Sequence, residues 1–257
     1  MGILNVTPDS FADGGRYNNF DSAIAHGLEM LQEGVDIIDV GGESTRPGAL
    51  RTSAEEEESR VLPVIKTLVA AGALISIDTK RAQIAAKAVE AGAKIVNDVS
   101  AGLSDKNMLS TVASLGTPFI AMHSRGESKD MNSTANYGDV TAEVLSELRL
   151  RVSEALAAGI LKENMILDPG LGFAKRAEHN WDLLKNLDKF MALGFPILIG
   201  ASRKRFLGAL TGDESTDLRE PATIALTTLL AERSIWGVRV HGVKAHRDAI
   251  AVVGKMQ

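Results

Sequence analysis

The stretch LISIDTKRAQIAAKAVEAGAKIVND, residues 74–98, sets the reading of the whole chain. It opens on a short apolar run, Leu74–Ile77, and closes on a second, Lys94–Val96, with an amphipathic segment of helical length between them. Gly92 falls just before the second run, where a helix C-terminus ends. Two strands separated by a helix pair in parallel, because a tight hairpin cannot join them. Each run also ends in residues able to do chemistry: Asp78 after the first, Asn97 and Asp98 after the second.

The same unit repeats outward in both directions. Further runs lie at Met1–Leu4, Val35–Val40, Phe119–Met122, Met165–Leu167, Pro196–Ile199 and Val238–Val240. Between them, apolar stripes at helical spacing appear at Ile24, Leu28 and Leu31, at Val144, Leu148, Val152 and Leu156, and at Trp181, Leu184 and Leu187. Gly34, Gly72, Gly159 and Gly194 punctuate the chain as Gly92 does. Ser53, followed three residues later by Glu56, reads as a capping box, and the acidic run Glu55–Glu58 as a solvated first turn favoured by the helix dipole. No linker or low-complexity tract interrupts the pattern, so residues 1–257 are expected to form a single domain. Eight such units favour a closed (β/α)8 TIM barrel, an α/β fold, over an open doubly wound sheet. Two long loops follow the first two strands, at Asn5–Asn19 and Gly41–Ser53. The chain starts almost inside its first strand, as a truncated or trimmed Met1 would.

Composition excludes several functions. The 257 residues carry 28 Lys and Arg against 33 Asp and Glu, a net charge of −5, which disfavours a main role in gripping nucleic acid. Zero cysteines removes disulfides, thiolate metal sites and thiol nucleophiles. No apolar run approaches the roughly 20 residues of a membrane helix, and no signal peptide is read, so a cytoplasmic protein without membrane contact is expected. Aromatic residues, at 4%, are too few for a stacking groove.

Nearly every run ends in a polar residue: Asn5, Asp39, Asp78, Asn97 with Asp98, His123, Asp168, then Ser202, Arg203 and Lys204, and finally Arg239 and His241. In a parallel barrel these ends share one rim, where active sites of the fold sit. A lone Asp after a strand serves as a cap or turn former, but capping does not require Asn, Asp, His, Lys and Arg on a single rim. Carboxylates such as Asp78 and Asp168 suit the paired N–H edge of a heterocycle, and Arg46, Lys204, Arg239 and His241 suit an anion such as phosphate. Glycine-bearing loops at such a rim are lid candidates.

Several segments resemble the dihydropteroate synthase family, pterin-binding enzymes of folate biosynthesis and the target of sulfonamides. They are MGILNVTPDSFADGG (1–15), DVGGESTRPGA (39–49), SIDT (76–79), NDVS (97–100), LDPGLGFAK (167–175), GASRKRFLGAL (200–210) and VRVH (238–241). The resemblance implies a TIM barrel, a homodimer and a transferase. That enzyme would condense 6-hydroxymethyl-7,8-dihydropterin pyrophosphate with p-aminobenzoate by an SN1-like route, giving 7,8-dihydropteroate and pyrophosphate. It implies a pterin slot formed by Asp78, Asn97, Asp168 and Lys204, with Val99, Met122 and Phe173 as apolar walls. Asn5, Arg46, Arg239 and His241 would hold pyrophosphate, with Asn5 also on Mg2+, and Phe11, Thr45, Pro47 and Ser202 would shape the p-aminobenzoate site. Asp78, Lys204 and Asn5 are the implied catalytic residues, and Asp9 a weaker loop candidate beside Thr7 and Asp13. No role falls to Arg203 or Arg205, and His26, His179 and His246 read as helix-surface or packing residues.

Family members commonly carry Asp directly after the final His, where this chain has Gly242. A carboxylate there would orient the imidazole. Two other readings compete. A methyltetrahydrofolate:corrinoid methyltransferase shares the barrel but does not need the STRPG and SRK segments. A catalytically degenerate pterin-binding scaffold would be expected to lose Asn5, Lys204 or Arg239, and all three are present.

Overall fold

In the computed structural model, described for residues 1–7, 16–44, 52–126, 134–212 and 215–257, parallel strands alternate with helices from end to end. The strands are β1 (Gly2–Asn5), β2 (Ile38–Gly41), β3 (Ile75–Asp78), β4 (Ile95–Asp98), β5 (Phe119–Met122), β6 (Met165–Asp168), β7 (Leu198–Ile199) and β8 (Gly237–Val238). β1 to β6 form a six-stranded parallel sheet in sequence order, and β7 and β8 form a separate parallel pair. Parallel bridges Leu167↔Ile197 and Gly2↔Val240 join the two sheets at both edges, which closes the α/β barrel. At the second seam Ile3 N–H donates to Val240 O (2.9 Å) and Val240 N–H to Met1 O (3.0 Å).

Period-2 alternation along each strand explains how the barrel fills. Ile95, Ile120, Ile166 and Leu198 pack together inside, with Met1 and Ile37 against them. Their neighbours Val96, Ala121, Leu167 and Ile199 face the helices and join the larger outer core. Two residues beyond each inner apolar residue the same face carries Asn97, Met122, Asp168 and Gly200, so the barrel is oily below and polar at its C-terminal end. Strands β1 to β4 and β6 run one or two residues further toward the C-terminus than the apolar runs suggest, and Asp78, Asp98 and Asp168 are strand residues rather than loop residues.

The outer helices are α1 (Arg16–Gln32), α2 (Ala54–Ala70), α3 (Ala82–Glu90), α4 (Met108–Leu115), α5 (Val140–Ala157), α6 (Ala177–Lys185), α7 (Leu187–Met191), α8 (Arg205–Thr211), α9 (Glu220–Glu232) and α10 (Val243–Met256). α1 already begins at Arg16, so the first long loop ends earlier than the sequence suggested. Its buried face is Ala23, Gly27 and Met30, while Leu28 of the expected stripe is exposed. Close approach decides this: a Cβ on Gly27 would stand 2.7 Å from Leu68 of α2, so small residues take the contact. The third expected stripe spans two helices, because the chain breaks at Asn186 between α6 and α7.

At α2, Ser53 Oγ accepts from Glu56 N–H (3.1 Å), but the Glu56 carboxylate pairs with Arg60 instead of closing the box. The acidic run is also not uniformly solvated. Glu57 is fully buried, accepting from Thr79 Oγ1 (2.6 Å) and pairing with Arg81, because that position of α2 faces the barrel. A carboxylate is tolerated there only with such partners. No helix among the described residues is long and apolar enough to cross a membrane.

Candidate active site

The C-terminal rim is built around one guanidinium. Arg239, just past β8, donates from Nε to Asp39 Oδ2 (2.6 Å) and from Nη2 to Asp78 Oδ2 (2.8 Å). Asp39 Oδ2 also accepts from Asn97 Nδ2 (2.9 Å), so residues from β2, β3, β4 and β8 meet in a buried network. Asp39 Oδ1 and the hydroxyl of Ser76, its register partner on β3, have no hydrogen-bond partner among the described residues. Gly41 sits in register between Asn5 and Asp78, and a Cβ there would lie 3.7 Å from Asn5 Oδ1 and 3.5 Å from Asp78 Cβ. The glycine therefore leaves the Asn5 amide and the Asp78 carboxylate on open ground together. Burial drives the Asp78 pKa up to about 7, with Arg239 pulling against it and Asp39, Asp98 and Glu57 adding to the rise.

The opposite side of the rim comes from β6 and β7. Asp168 is buried, accepts from Gly170 N–H (2.7 Å) and stands 3.6 Å from where a Gly200 Cβ would be. Burial raises its pKa, against the pull of the nearby Lys204. Lys204 precedes α8, donates to Leu171 O and places Nζ 4.7 Å from the centre of the Phe173 ring. Burial lowers its pKa to about 8 despite Asp168. Met122 is buried and in register with Asp168, while Val99 and Phe173 are half-buried. Ser202 Oγ lies 2.9 Å from His241 Nδ1 and accepts from the His241 backbone N–H (3.2 Å).

Asp78, Asn97, Arg239 and the unassigned Asp39 are thus directly bonded, Lys204 lies beside both Asp168 and Phe173, and Ser202 meets His241. Phe11, Thr45, Arg46 and Pro47, with Asp9 and Asp13, lie outside the described residues. Asp98 turns out to be a turn former, accepting from Ser100 N–H and Oγ (2.7 Å each) and from Gly102 N–H (2.7 Å).

His123 and Lys175 belong to a layer behind the rim. Lys175 Nζ reaches His123 Nδ1 (2.9 Å), Gly170 O (3.0 Å) and Phe173 O (2.9 Å), so it ties to the end of β5 the turn that follows Asp168 and carries Phe173. His123 Nε2 pairs with Glu147 (2.9 Å), which also takes Arg125. Burial first, and Lys175 next, depress the His123 pKa to about 4, while burial lowers that of Lys175. Gly170 is obligatory here: its φ is +70°, and a Cβ would lie 1.9 Å from His123 O. Arg203, given no role by the sequence, is fully engaged with Glu220 and Asp217. Asp39 had a signal in the sequence, since a carboxylate amid a strand's apolar residues needs a cationic or N–H partner.

Comparison with known proteins agrees with this geometry. Residues 1–241 match the family model of pterin binding enzymes. The chain is 51% identical to a dihydropteroate synthase of Mycobacterium leprae, over 99% of this chain and 92% of the relative. It is 46% identical to one from Streptococcus pyogenes, over 100% and 94%. Among solved structures, the dihydropteroate synthase of Xanthomonas albilineans with 4-aminobenzoic acid superposes at a TM-score of 0.94, at 44% identity, covering 100% of this chain and 92% of that one. The same enzyme in complex with 7,8-dihydropteroate gives 0.91, at 41% identity and with the same coverage. The chain belongs to the dihydropteroate synthase family of pterin-binding enzymes.

Proposed function

We propose that this chain is a dihydropteroate synthase, condensing 6-hydroxymethyl-7,8-dihydropterin pyrophosphate with p-aminobenzoate to give 7,8-dihydropteroate and pyrophosphate. The carrying observation is the buried rim in which Arg239 bridges Asp39 and Asp78 while Asp168 and Lys204 stand across the barrel mouth. A heterocycle with adjacent N–H donors suits Asp168, whose Oδ1 is already steadied by Gly170. Asn97 and Lys204 would complete recognition of the ring, with Val99, Met122 and Phe173 as walls. Arg239, Asn5 and His241, with Arg46 from the second loop, would hold pyrophosphate. Phe11, Thr45, Pro47 and Ser202 would form the p-aminobenzoate site.

In this reading the bond from the pterin methylene to the pyrophosphate oxygen breaks, and its electron pair leaves with pyrophosphate. The lone pair of the arylamine then forms the new carbon–nitrogen bond, and the amine releases a proton. Arg239 and His241 would meet the charge developing on the leaving group, which fixed donors do without reorganising. The ionised Asp78 would face the cationic methylene and could then hold the released proton. No protein nucleophile is required.

Mg2+ fits this rim by its donor chemistry. The ion takes oxygen ligands and needs few from the protein when a substrate brings phosphates. Asn5 Oδ1 is an oxygen donor at the strand end, and no cage of three or more acidic or histidine side chains exists among the described residues. Asn5 would hold the ion, which when bound supplies positive charge to the leaving group. A homodimer in the cytoplasm, each copy a single domain of residues 1–257, completes the proposal; apolar Leu210, Leu229 and Val252, exposed on α8 to α10, support self-association.

The test is direct: purified protein, Mg2+, the pterin pyrophosphate and p-aminobenzoate are mixed, and dihydropteroate and pyrophosphate are measured. Both products in equal amounts are expected. Intact pterin binding with no product would overturn the reading.

A further inference from the structure

Arg203 lies between two residues of the rim, Ser202 and Lys204, yet its backbone has φ +56°, a left-handed conformation that side-chain-bearing residues rarely adopt. Its surroundings hold it there. Nε donates to Glu220 Oε2 (2.8 Å), Nη1 to Asp217 (3.0 Å) and the backbone N–H to Thr223 Oγ1 (3.2 Å), while its carbonyl accepts from Arg219 (3.1 Å). Asp217 is exposed, so the weight falls on Glu220, which is mostly buried and also meets His246 Nε2 (3.2 Å). His246 is itself fixed by Thr227 Oγ1 (2.8 Å). The result of the reversed turn is that Ser202 Oγ reaches His241 Nδ1. A hydroxyl donating to Nδ1 leaves the imidazole proton on Nε2, the tautomer able to donate to an anion.

The same carboxylate touches the residue after His241. A Cβ on Gly242 would lie 2.7 Å from Glu220 Oε1 and 4.0 Å from Arg203 Nη2. The φ of Gly242 is −94°, open to any residue, so a side chain there meets only the Glu220 carboxylate, which Arg203 and His246 hold in place and which would have to shift.

We propose that Glu220 is a positioning residue of this site: by clamping Arg203 it fixes Ser202 against His241 for pyrophosphate binding, with its carboxylate, held from α9, standing where a side chain at position 242 would enter. This rests on the function proposed above, and its test does not depend on turnover. Binding of inorganic pyrophosphate in Mg2+ and of unphosphorylated 6-hydroxymethylpterin is measured by calorimetry, with thermal unfolding in parallel. Glu220→Gln is expected to weaken pyrophosphate binding about tenfold and to leave the pterin within threefold of wild type, a split that general loosening of the fold does not give. Gly242→Asp is expected to weaken pyrophosphate as well, by driving a carboxylate into Glu220. The double change Glu220→Ala with Gly242→Asp is expected to recover binding, since a carboxylate then approaches Arg203 from the other side. Wild-type pyrophosphate binding in Glu220→Gln, equal loss of both ligands, or a double variant no better than Glu220→Ala alone would each overturn the proposal. If the wild-type chain makes no dihydropteroate but Glu220→Gln still loses pyrophosphate selectively, the condensation reading falls and the positioning role stands.

Discussion

Arg239 and Asp78 lie 161 positions apart in the sequence and meet at 2.8 Å at the barrel mouth, with a second guanidinium nitrogen on Asp39 at 2.6 Å. An anion arriving at Arg239 therefore competes with a carboxylate that already occupies it. Whatever binding weakens at the Asp78 end raises that carboxylate's affinity for a proton. In the proposed reaction the leaving group and the proton acceptor would be electrostatically linked through a single side chain.

The raised pKa of Asp78, about 7, gives a pH signature. The kcat/KM of the proposed reaction should rise with pH through about 7 as Asp78 ionises, then fall above about 8 as Lys204 loses its proton. Asp78→Asn should keep pterin binding, lose turnover by roughly 100-fold and lose the rising limb. For stability the sign is opposite. The folded state binds the proton more tightly than the unfolded chain, so Asp78 contributes favourably below 3.8 and that contribution is lost as pH rises through about 7. Asp78→Asn should show no fall in Tm at pH 8, measured by calorimetry; a large fall would mean that the carboxylate is needed to hold Arg239.

Arg239→Met removes the only cation bonded to Asp39 and Asp78 among the described residues. Leaving buried carboxylates unpaired costs about 3–5 kcal/mol. Denaturant unfolding at pH 8 should show that loss, and at pH 5, where Asp78 is protonated, the difference from wild type should narrow.

Lys204→Met should weaken pterin binding by roughly ten- to hundredfold, the worth of a charged hydrogen bond of about 1.5–3 kcal/mol. Because the pKa of Lys204 is lowered to about 8, its stability contribution is present above 10.5 and lost as pH falls through about 8. The variant should therefore be no less stable than wild type at pH 7. Titration calorimetry with the pterin and thermal unfolding together check both halves.

Lys175→Met should release His123. With the second-largest cause of its depression gone, the His123 pKa should climb from about 4 toward the usual 6.5, held short of it by burial. Imidazole resonances followed by NMR across pH 3–8 read this out. An unchanged value would leave burial and Arg125 as the causes.

Much of this was legible because barrels repeat. Each strand is short, β-branched and followed by a helix with a glycine stop, so the position of Asp168 or Arg239 on the rim follows from counting. What the sequence hid were relationships across the barrel. Asp39 reads as one carboxylate among many until Arg239, 200 residues later, is placed on it. Glu57 looks solvated within an acidic run, because helical phase alone does not say which face Arg81 will approach. Arg203 gives no local hint of its left-handed turn, since no glycine marks it and the restraint comes from α9. The buried side of α1 was foreseen in part: Ile24 and Leu31 pack against the core while Leu28 is exposed, because a close crossing selects for small residues such as Gly27.

The division of the barrel into six strands and two has a consequence for how such a site can change over generations. The acceptors Asn5, Asp39, Asp78, Asn97 and Asp168 all ride on the six-stranded sheet, while Ser202, Lys204, Arg239 and His241 ride on or beside the β7–β8 pair. Mutations on that smaller stave can change the cations of the rim while the strands that carry its carboxylates keep their register. The two sets of charges can drift apart at different rates while sharing one scaffold.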